Sequence, residues 1–128
     1  GVQLSSRVDA VLPAVRCAPD KIERVLYNLL TNALRHTPPD GMVAVTASVV
    51  ADGSVVVGVE DTGEGIPPER AERIFDRFWR ADASRRPGGS GLGLAIARGL
   101  VDAHGGRIWA EARAGGGTLV AFTLTQVP

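Results

Sequence analysis

The chain predicts an α+β fold, a two-layer sandwich with helices packed on one face of a mixed, mostly antiparallel sheet. Three observations predict it. Apolar residues recur at three- and four-residue steps from Ile22 to Leu34 and again from Gly91 to His104, which marks two helices with one buried face each. Val- and Thr-rich runs at Met42–Val50 and Ser54–Glu60, and a final strand pair at Arg107–Arg113 and Thr118–Thr125, are each joined by a short Gly-containing turn, the signal of two hairpins. The order strands, helix, hairpin, irregular loop, helix, hairpin then packs most simply as helices on one sheet face.

Each element has its own local cause. Val2–Val8 is short, with Val2, Leu4 and Ser6 alternating against more polar neighbours, and reads as an edge strand. Pro13–Cys17 reads as a second short strand. Pro19 opens a helix because its missing N–H would be unpaired in the first turn anyway. Asp20 and Glu23 put negative charge at that positive helix end. Ile22, Val25, Leu26, Leu29, Ala33 and Leu34 form the buried face, and Pro38-Pro39 stops the helix. Ala51-Asp-Gly53 turns the first hairpin. The stretch from Asp61 to Ser90 is rich in charge, Gly and Pro, with one short apolar-aromatic helix around Ile74, Phe75 and Phe78. The second helix ends at Gly105-Gly106, and Gly115-Gly-Gly117 turns the last hairpin.

Composition narrows the chemistry. A length of 128 residues suits a single domain, 1–128, and 45% hydrophobic with 22% charged residues is an ordinary globular balance. Lys+Arg and Asp+Glu are both 14, so no net field favours nucleic acid or an anionic membrane. Lys21 is the only lysine, which removes a Walker lysine, a Schiff base and a polybasic tail. Cys17 is alone and reads as a small buried hydrophobe in a reducing, cytoplasmic setting. Two histidines and one cysteine cannot build a four-ligand zinc site. The apolar runs are far short of a membrane span and no signal peptide is visible, so direct membrane insertion by this chain is not expected.

Three segments carry candidate chemistry. Asn28, Asn32 and Arg35 share one helical stripe at the rim of the apolar face, flanked by His36. An asparagine oxygen is a weak neutral ligand that serves magnesium when phosphate oxygens and waters complete the octahedron. Read alone, the stripe is more simply a set of partly exposed polar residues. Asp61-Thr-Gly-Glu-Gly-Ile66 follows an apolar strand. Its carboxylate could accept a hydrogen bond from an exocyclic amine such as that of adenine, with Gly65 and Ile66 against the ring. Gly63 and Gly65 allow close backbone approach. An ordinary turn accounts for it as well. Arg73-Ile-Phe-Asp-Arg-Phe-Trp-Arg80 precedes a polar Gly/Pro/Arg segment, the composition of a mobile lid over about 67–90, with Arg77 and Arg80 as phosphate contacts. Gly89-Ser-Gly-Leu-Gly93 then opens a helix whose unpaired N–H groups suit an anion. It is not a P-loop, and it fits a dinucleotide fingerprint poorly because no strand precedes it.

In this order, Asn28-Leu-Leu-Thr-Asn-Ala-Leu-Arg-His-Thr37, Asp61-Thr-Gly-Glu-Gly-Ile66, Arg73-Ile-Phe-Asp-Arg-Phe78 and Gly89-Ser-Gly-Leu-Gly-Leu94 closely resemble the asparagine, first glycine, phenylalanine and second glycine boxes of bacterial sensor histidine kinases. Val101-Asp-Ala-His-Gly-Gly-Arg-Ile-Trp109 and Gly115-Gly-Gly-Thr118 continue the likeness over nearly the whole chain. The resemblance implies the Bergerat fold of the catalytic domain. It implies ATP and Mg2+ as ligands, with Asn32 on the metal and Asn28 on the phosphate side. Arg35 and His36 would lie near the phosphates, Asp61 with Gly63 and Gly65 on the adenine, and Thr118 beside it. Arg80 would be a lid arginine reaching the γ-phosphate, while Gly89, Gly91, Leu92, Gly93 and Leu94 would face the phosphates. Asn28 and Arg80 would be the catalytic pair. Trp79 stands where Tyr is common, and Ala18 replaces the usual acid.

The implied activity is donation of the γ-phosphate to a histidine on a dimerisation domain of the same or a separate chain, with a response regulator receiver downstream. Neither His36 nor His104 has the acceptor context, and His104 reads as a helix C-terminal cap. The expected isolated domain is a monomer at the cytoplasmic end of a membrane-bound kinase. A strand beginning at Val2 points to an excised piece or a split kinase without its phosphoacceptor domain. Hydrolysing relatives carry a glutamate where this chain has Tyr27-Asn28, so rapid hydrolysis is not expected. Two alternatives remain at this point: an anti-sigma-factor serine kinase, which should lack the Phe75–Phe78 box, and a nucleotide-dependent binding module without transfer.

Overall fold

A computed structural model describes residues 1–8, 17–76 and 92–125. The expected strand at Pro13–Cys17 falls largely outside them, and Cys17 itself belongs to no strand. Five strands and two α-helices make the frame: β1 (Gln3–Val8), α1 (Pro19–His36), β2 (Met42–Val49), β3 (Val55–Asp61), α2 (Gly93–Ala103), β4 (Ile108–Ala112) and β5 (Thr118–Leu124). They form one sheet in the order β1-β2-β3-β5-β4, with β1 parallel to β2 and every other pair antiparallel. The predicted mixed sandwich is therefore the observed one. The single parallel pair follows from connectivity, because the chain returns to the sheet through α1 and a strand–helix–strand crossover delivers parallel strands.

Helix α1 begins where proline can be tolerated. Ala18 sits outside the helix at φ −90° and ψ 111°, supplies no side-chain cap, and accepts the N–H groups of Lys21 and Ile22 on its carbonyl. Its own N–H donates to His104 Nε2 at 3.0 Å, while His104 Nδ1 lies 2.8 Å from the Leu100 carbonyl. His104 thus carries its proton on Nδ1; it stands at the C-cap of α2, as expected, and also bridges that end to the start of α1. At the other end Thr37 donates its hydroxyl to the Ala33 carbonyl at 2.6 Å, just before the two prolines.

The buried stripe of α1 is Ile22, Val25, Leu29 and Ala33; that of α2 is Leu94, Ala97 and Val101. Leu26 is partly buried and packs against the core, while Leu34 is exposed and drops out of the predicted apolar face. Both stripes join Val43, Val55, Val57, Val59, Val120, Phe122 and Leu124 in one core. Burial at this scale, roughly 1.5–3 kcal/mol for each fully covered large side chain, is what holds the layers together. In place of the short helix expected around Ile74 and Phe75 there are two 3-10 turns, Pro68–Arg70 and Arg73–Phe75, and Ile74 and Phe75 reach the core from the second. Phe78 lies outside the described residues. No helix among those described is long and apolar enough to cross a membrane.

Candidate functional site

The inward rows of the two central strands are apolar until their last pair. On β3 the row runs Val55, Val57, Val59, Asp61, and on β5 it runs Leu124, Phe122, Val120, Thr118, paired residue for residue. Asp61 and Thr118 therefore face each other at one end of the core, 6% and 5% exposed. A carboxylate in that position is costly unless it is hydrogen-bonded. The Gly63 N–H donates to Asp61 Oδ1 at 2.9 Å, and the Thr118 backbone N–H also points to it. Desolvation nevertheless dominates and raises the carboxyl above its ordinary value, against the opposing pull of Gly63, His36, Thr118 and Arg113. An ionised carboxylate offers about four acceptor positions, so two N–H groups leave acceptor capacity for a donor from a ligand.

A cleft opens over this pair. Asn32 and His36 line one side from α1, Glu64, Gly65 and Ile66 come from the turn after β3, and Ile74 and Leu94 close the remainder. His36 Nδ1 is 3.5 Å from Glu64 Oε1, which joins the end of α1 to that turn. Two glycines make the close packing possible. A Cβ on Gly63 would overlap the His36 carbonyl. Gly117, at φ 98°, lies against the Asp61 carbonyl with no room for one.

The structure thus brings together Asn32, His36, Asp61, Gly65, Ile66, Leu94 and Thr118 from the residues expected at the site. Gly63 stands directly behind them. Asn28 is half-buried and off the cleft lining; its Nδ2 donates to the Gly93 carbonyl at 3.0 Å and ties α1 to the first turn of α2. Gly93 and Leu92 stand at that helix start, and Arg35 is exposed and also off the lining. Arg77, Arg80, Gly89 and Gly91, with Trp79, lie outside the described residues. Glu64 and Ile74 line the cleft without having been assigned a role from sequence. Their only signals were the position of Glu64 between two site glycines and of Ile74 in an otherwise arginine-rich segment.

Comparison with known proteins places this geometry. Residues 17–128 match the family described as histidine kinase-, DNA gyrase B-, and HSP90-like ATPase. The chain is 46% identical over 108 residues to the sensor histidine kinase WalK of Bacillus subtilis, a match that covers 82% of this chain and 18% of that protein. Its fold superposes on ShkA, solved full-length in complex with AMPPNP, with a TM-score of 0.85 at 32% identity, covering 99% of this chain and 26% of that one. It also superposes on histidine kinase ThkA, solved in complex with the response regulator TrrA, with a TM-score of 0.78 at 30% identity, covering 99% and 35%. The chain spans only 18% of the curated WalK sequence. With its sandwich, its buried acid and its asparagine helix in that company, the chain belongs to the histidine kinase-type ATPase family, as a domain of the sensor-kinase catalytic class.

Proposed function

We propose that this domain binds Mg-ATP in the cleft over Asp61 and donates the γ-phosphate to a histidine on a dimerisation domain outside this chain. The observation that carries the reading is the buried Asp61–Thr118 pair, a polar end to two otherwise apolar strand rows. Asp61 accepts the adenine amine, Gly65 and Ile66 lie against the ring, and Thr118 flanks it. Asn32 and His36, about one turn apart on α1, lead from the base toward the phosphates, and Asn28 and Arg35 extend that line.

Among the described residues no group of three or more His, Cys, Asp or Glu could cage a metal. A single amide oxygen at Asn32 fits magnesium that arrives with its phosphate ligands. Bound there, magnesium would neutralise phosphate charge. The chain's own residues position the nucleotide, and transfer then rests on alignment and charge neutralisation. The P–O bond to ADP breaks as a P–N bond to the acceptor imidazole forms. Arg77 and Arg80, in the proposed lid over about 67–90, complete the phosphate contacts, with Gly89, Gly91, Leu92, Gly93 and Leu94 at the start of α2. Tyr27 is exposed and the Asn28 amide is engaged with Gly93, so no carboxylate stands there to activate water, and hydrolysis is slow. A response regulator receives the phosphoryl group downstream, at the cytoplasmic side of a parent kinase.

The test has two stages. Calorimetry with Mg-ATP should show one site, and absence of binding would sink the reading. Labelled ATP mixed with candidate dimerisation domains should then yield acid-labile phosphohistidine. Acid-stable phosphoserine would point to the serine-kinase alternative, against which the core position of Phe75 already speaks, and binding without label would leave a binding module.

A further inference from the structure

Three consecutive glycines form the turn that presents Thr118, all at positive φ: Gly115 at 88°, Gly116 at 109° and Gly117 at 98°. Such a segment has no side chains of its own to hold it and loses more backbone freedom on ordering than any other sequence would. Yet Gly117 must stay against the Asp61 carbonyl and Thr118 must stay opposite Asp61 at the end of the ladder. Arg113, the residue just past β4, is bound to this turn three times. Its N–H donates to the Gly117 carbonyl at 3.0 Å, its carbonyl accepts the Gly116 N–H at 3.0 Å, and its Nη1 donates to the Gly116 carbonyl at 3.1 Å. Its Nε lies 3.6 Å from Glu60 Oε2, and the same oxygen accepts Arg7 Nη2 from the edge strand. Glu60 is the neighbour of Asp61, pointing to the opposite face of the sheet.

We propose that Arg113, anchored by Glu60, is a positioning residue for the base end of the cleft. It reaches no ligand itself. One guanidinium fork spans the turn and the strand end, so the two walls that meet at Asp61 and Thr118 are held at a fixed separation from behind the sheet. Only arginine does both at once, because its planar fork carries several donors at fixed angles, whereas a lysine ammonium at the same reach serves as a point charge. The chain of contacts Arg7–Glu60–Arg113–Gly116 lies wholly outside the cleft, so its loss should loosen the base site without touching the phosphate end.

This inference rests on the proposed nucleotide reading, and the experiment separates the two. Adenosine and ADP binding are measured for the wild-type domain, Arg113→Ala, Arg113→Lys and Glu60→Gln, together with amide hydrogen exchange. Arg113→Ala should weaken both ligands by the same factor, about three- to tenfold for a half-exposed charge-assisted contact. Arg113→Lys should recover part of the loss, and Glu60→Gln should lose less. Exchange should speed up at Gly116, Gly117 and Thr118 while Val57 and Val59 keep their protection. Unchanged affinity in Arg113→Ala, a loss confined to ADP, or loss of protection throughout β3 would each overturn the positioning role. Failure of the wild type to bind either ligand would instead overturn the nucleotide reading.

Discussion

The two hairpin turns do the same mechanical work and are built in opposite ways. The β2–β3 turn at Ala51-Asp-Gly53 lies far from the cleft. It uses one positive-φ glycine, Gly53 at 88°, and closes itself with a side chain: Asp52 accepts both the N–H and the hydroxyl of Ser54. The β4–β5 turn has three positive-φ glycines and is held from outside by Arg113. The difference follows from what each turn touches. The first faces solvent and can afford side chains. The second must let Gly117 lie on the backbone of Asp61, and any Cβ there would strike it. Where a turn forms part of a site, side chains give way to close approach and stability is supplied by a neighbour.

The largest break in that contrast should come from Gly117→Ala. It combines a left-handed backbone with a direct overlap on Asp61, and should cost about 3 kcal/mol of unfolding free energy and remove nucleotide binding. Urea unfolding and calorimetry would show both; a stable, binding-competent variant would refute the packing described here. The matched change at the other turn, Gly53→Ala, should cost about 1–2 kcal/mol, from backbone strain alone, and leave nucleotide affinity unchanged.

The aspartates at the two ends of the hairpin sharpen the comparison through pH. Burial raises the Asp61 carboxyl in the folded state. The folded protein therefore holds a proton the unfolded chain has lost, and Asp61 costs stability as pH rises from its ordinary value of 3.8 through the raised one. Asp61→Asn should bind ATP about 100-fold or more weakly, since an amide presents a donor where an acceptor is needed. It should nonetheless unfold at an equal or higher temperature at pH 7, with the gain over wild type vanishing below pH 3.8. Lower stability at neutral pH would contradict the desolvation argument. Asp52 has the opposite sign: the Ser54 side chain and N–H lower its carboxyl. Its small contribution is present above 3.8 and fades as pH falls through the lowered value. Asp52→Ala should show the smallest effect, a slight destabilisation at neutral pH that disappears in acid, with binding intact.

Much of this was legible in the residues. Helix spacing, the prolines at the two ends of α1, the Gly-containing turns and the alternation over Val2–Val8 placed both helices and all five strands, because these signals are local. The site was legible as separate motifs, Asn32 with His36, Asp61 to Ile66, and Thr118. Only the family resemblance, not the residues by themselves, brought them to one nucleotide. The register that pairs Asp61 with Thr118 depends on where β3 and β5 meet, which neither strand specifies alone. The hydrogen bond from Ala18 to His104 joins residues far apart in the chain, and nothing local to either forecasts it. In the sequence Arg113 is only the end of a predicted strand, since its proposed role exists only once the glycine turn and Glu60 have come together. The short helix expected near Phe75 became a 3-10 turn, where Ile74 and Phe75 reach the core in a single tight turn without the length an α-helix needs.

The seam between β3 and β5 has a mechanical consequence. Everything through β3 comes from the first half of the chain, and α2, β4 and β5 come from the second. Within the sheet they meet along one ladder from Val55–Leu124 to Asp61–Thr118, and in the helical layer α1 meets α2. A ligand held by Asp61 and Thr118 would sit at the open end of that ladder like a rivet through two plates. Its occupancy would resist shear between the halves. Pulling on β3 against β5 would then require more force with the cleft filled, and strands would part from the Val55–Leu124 end first.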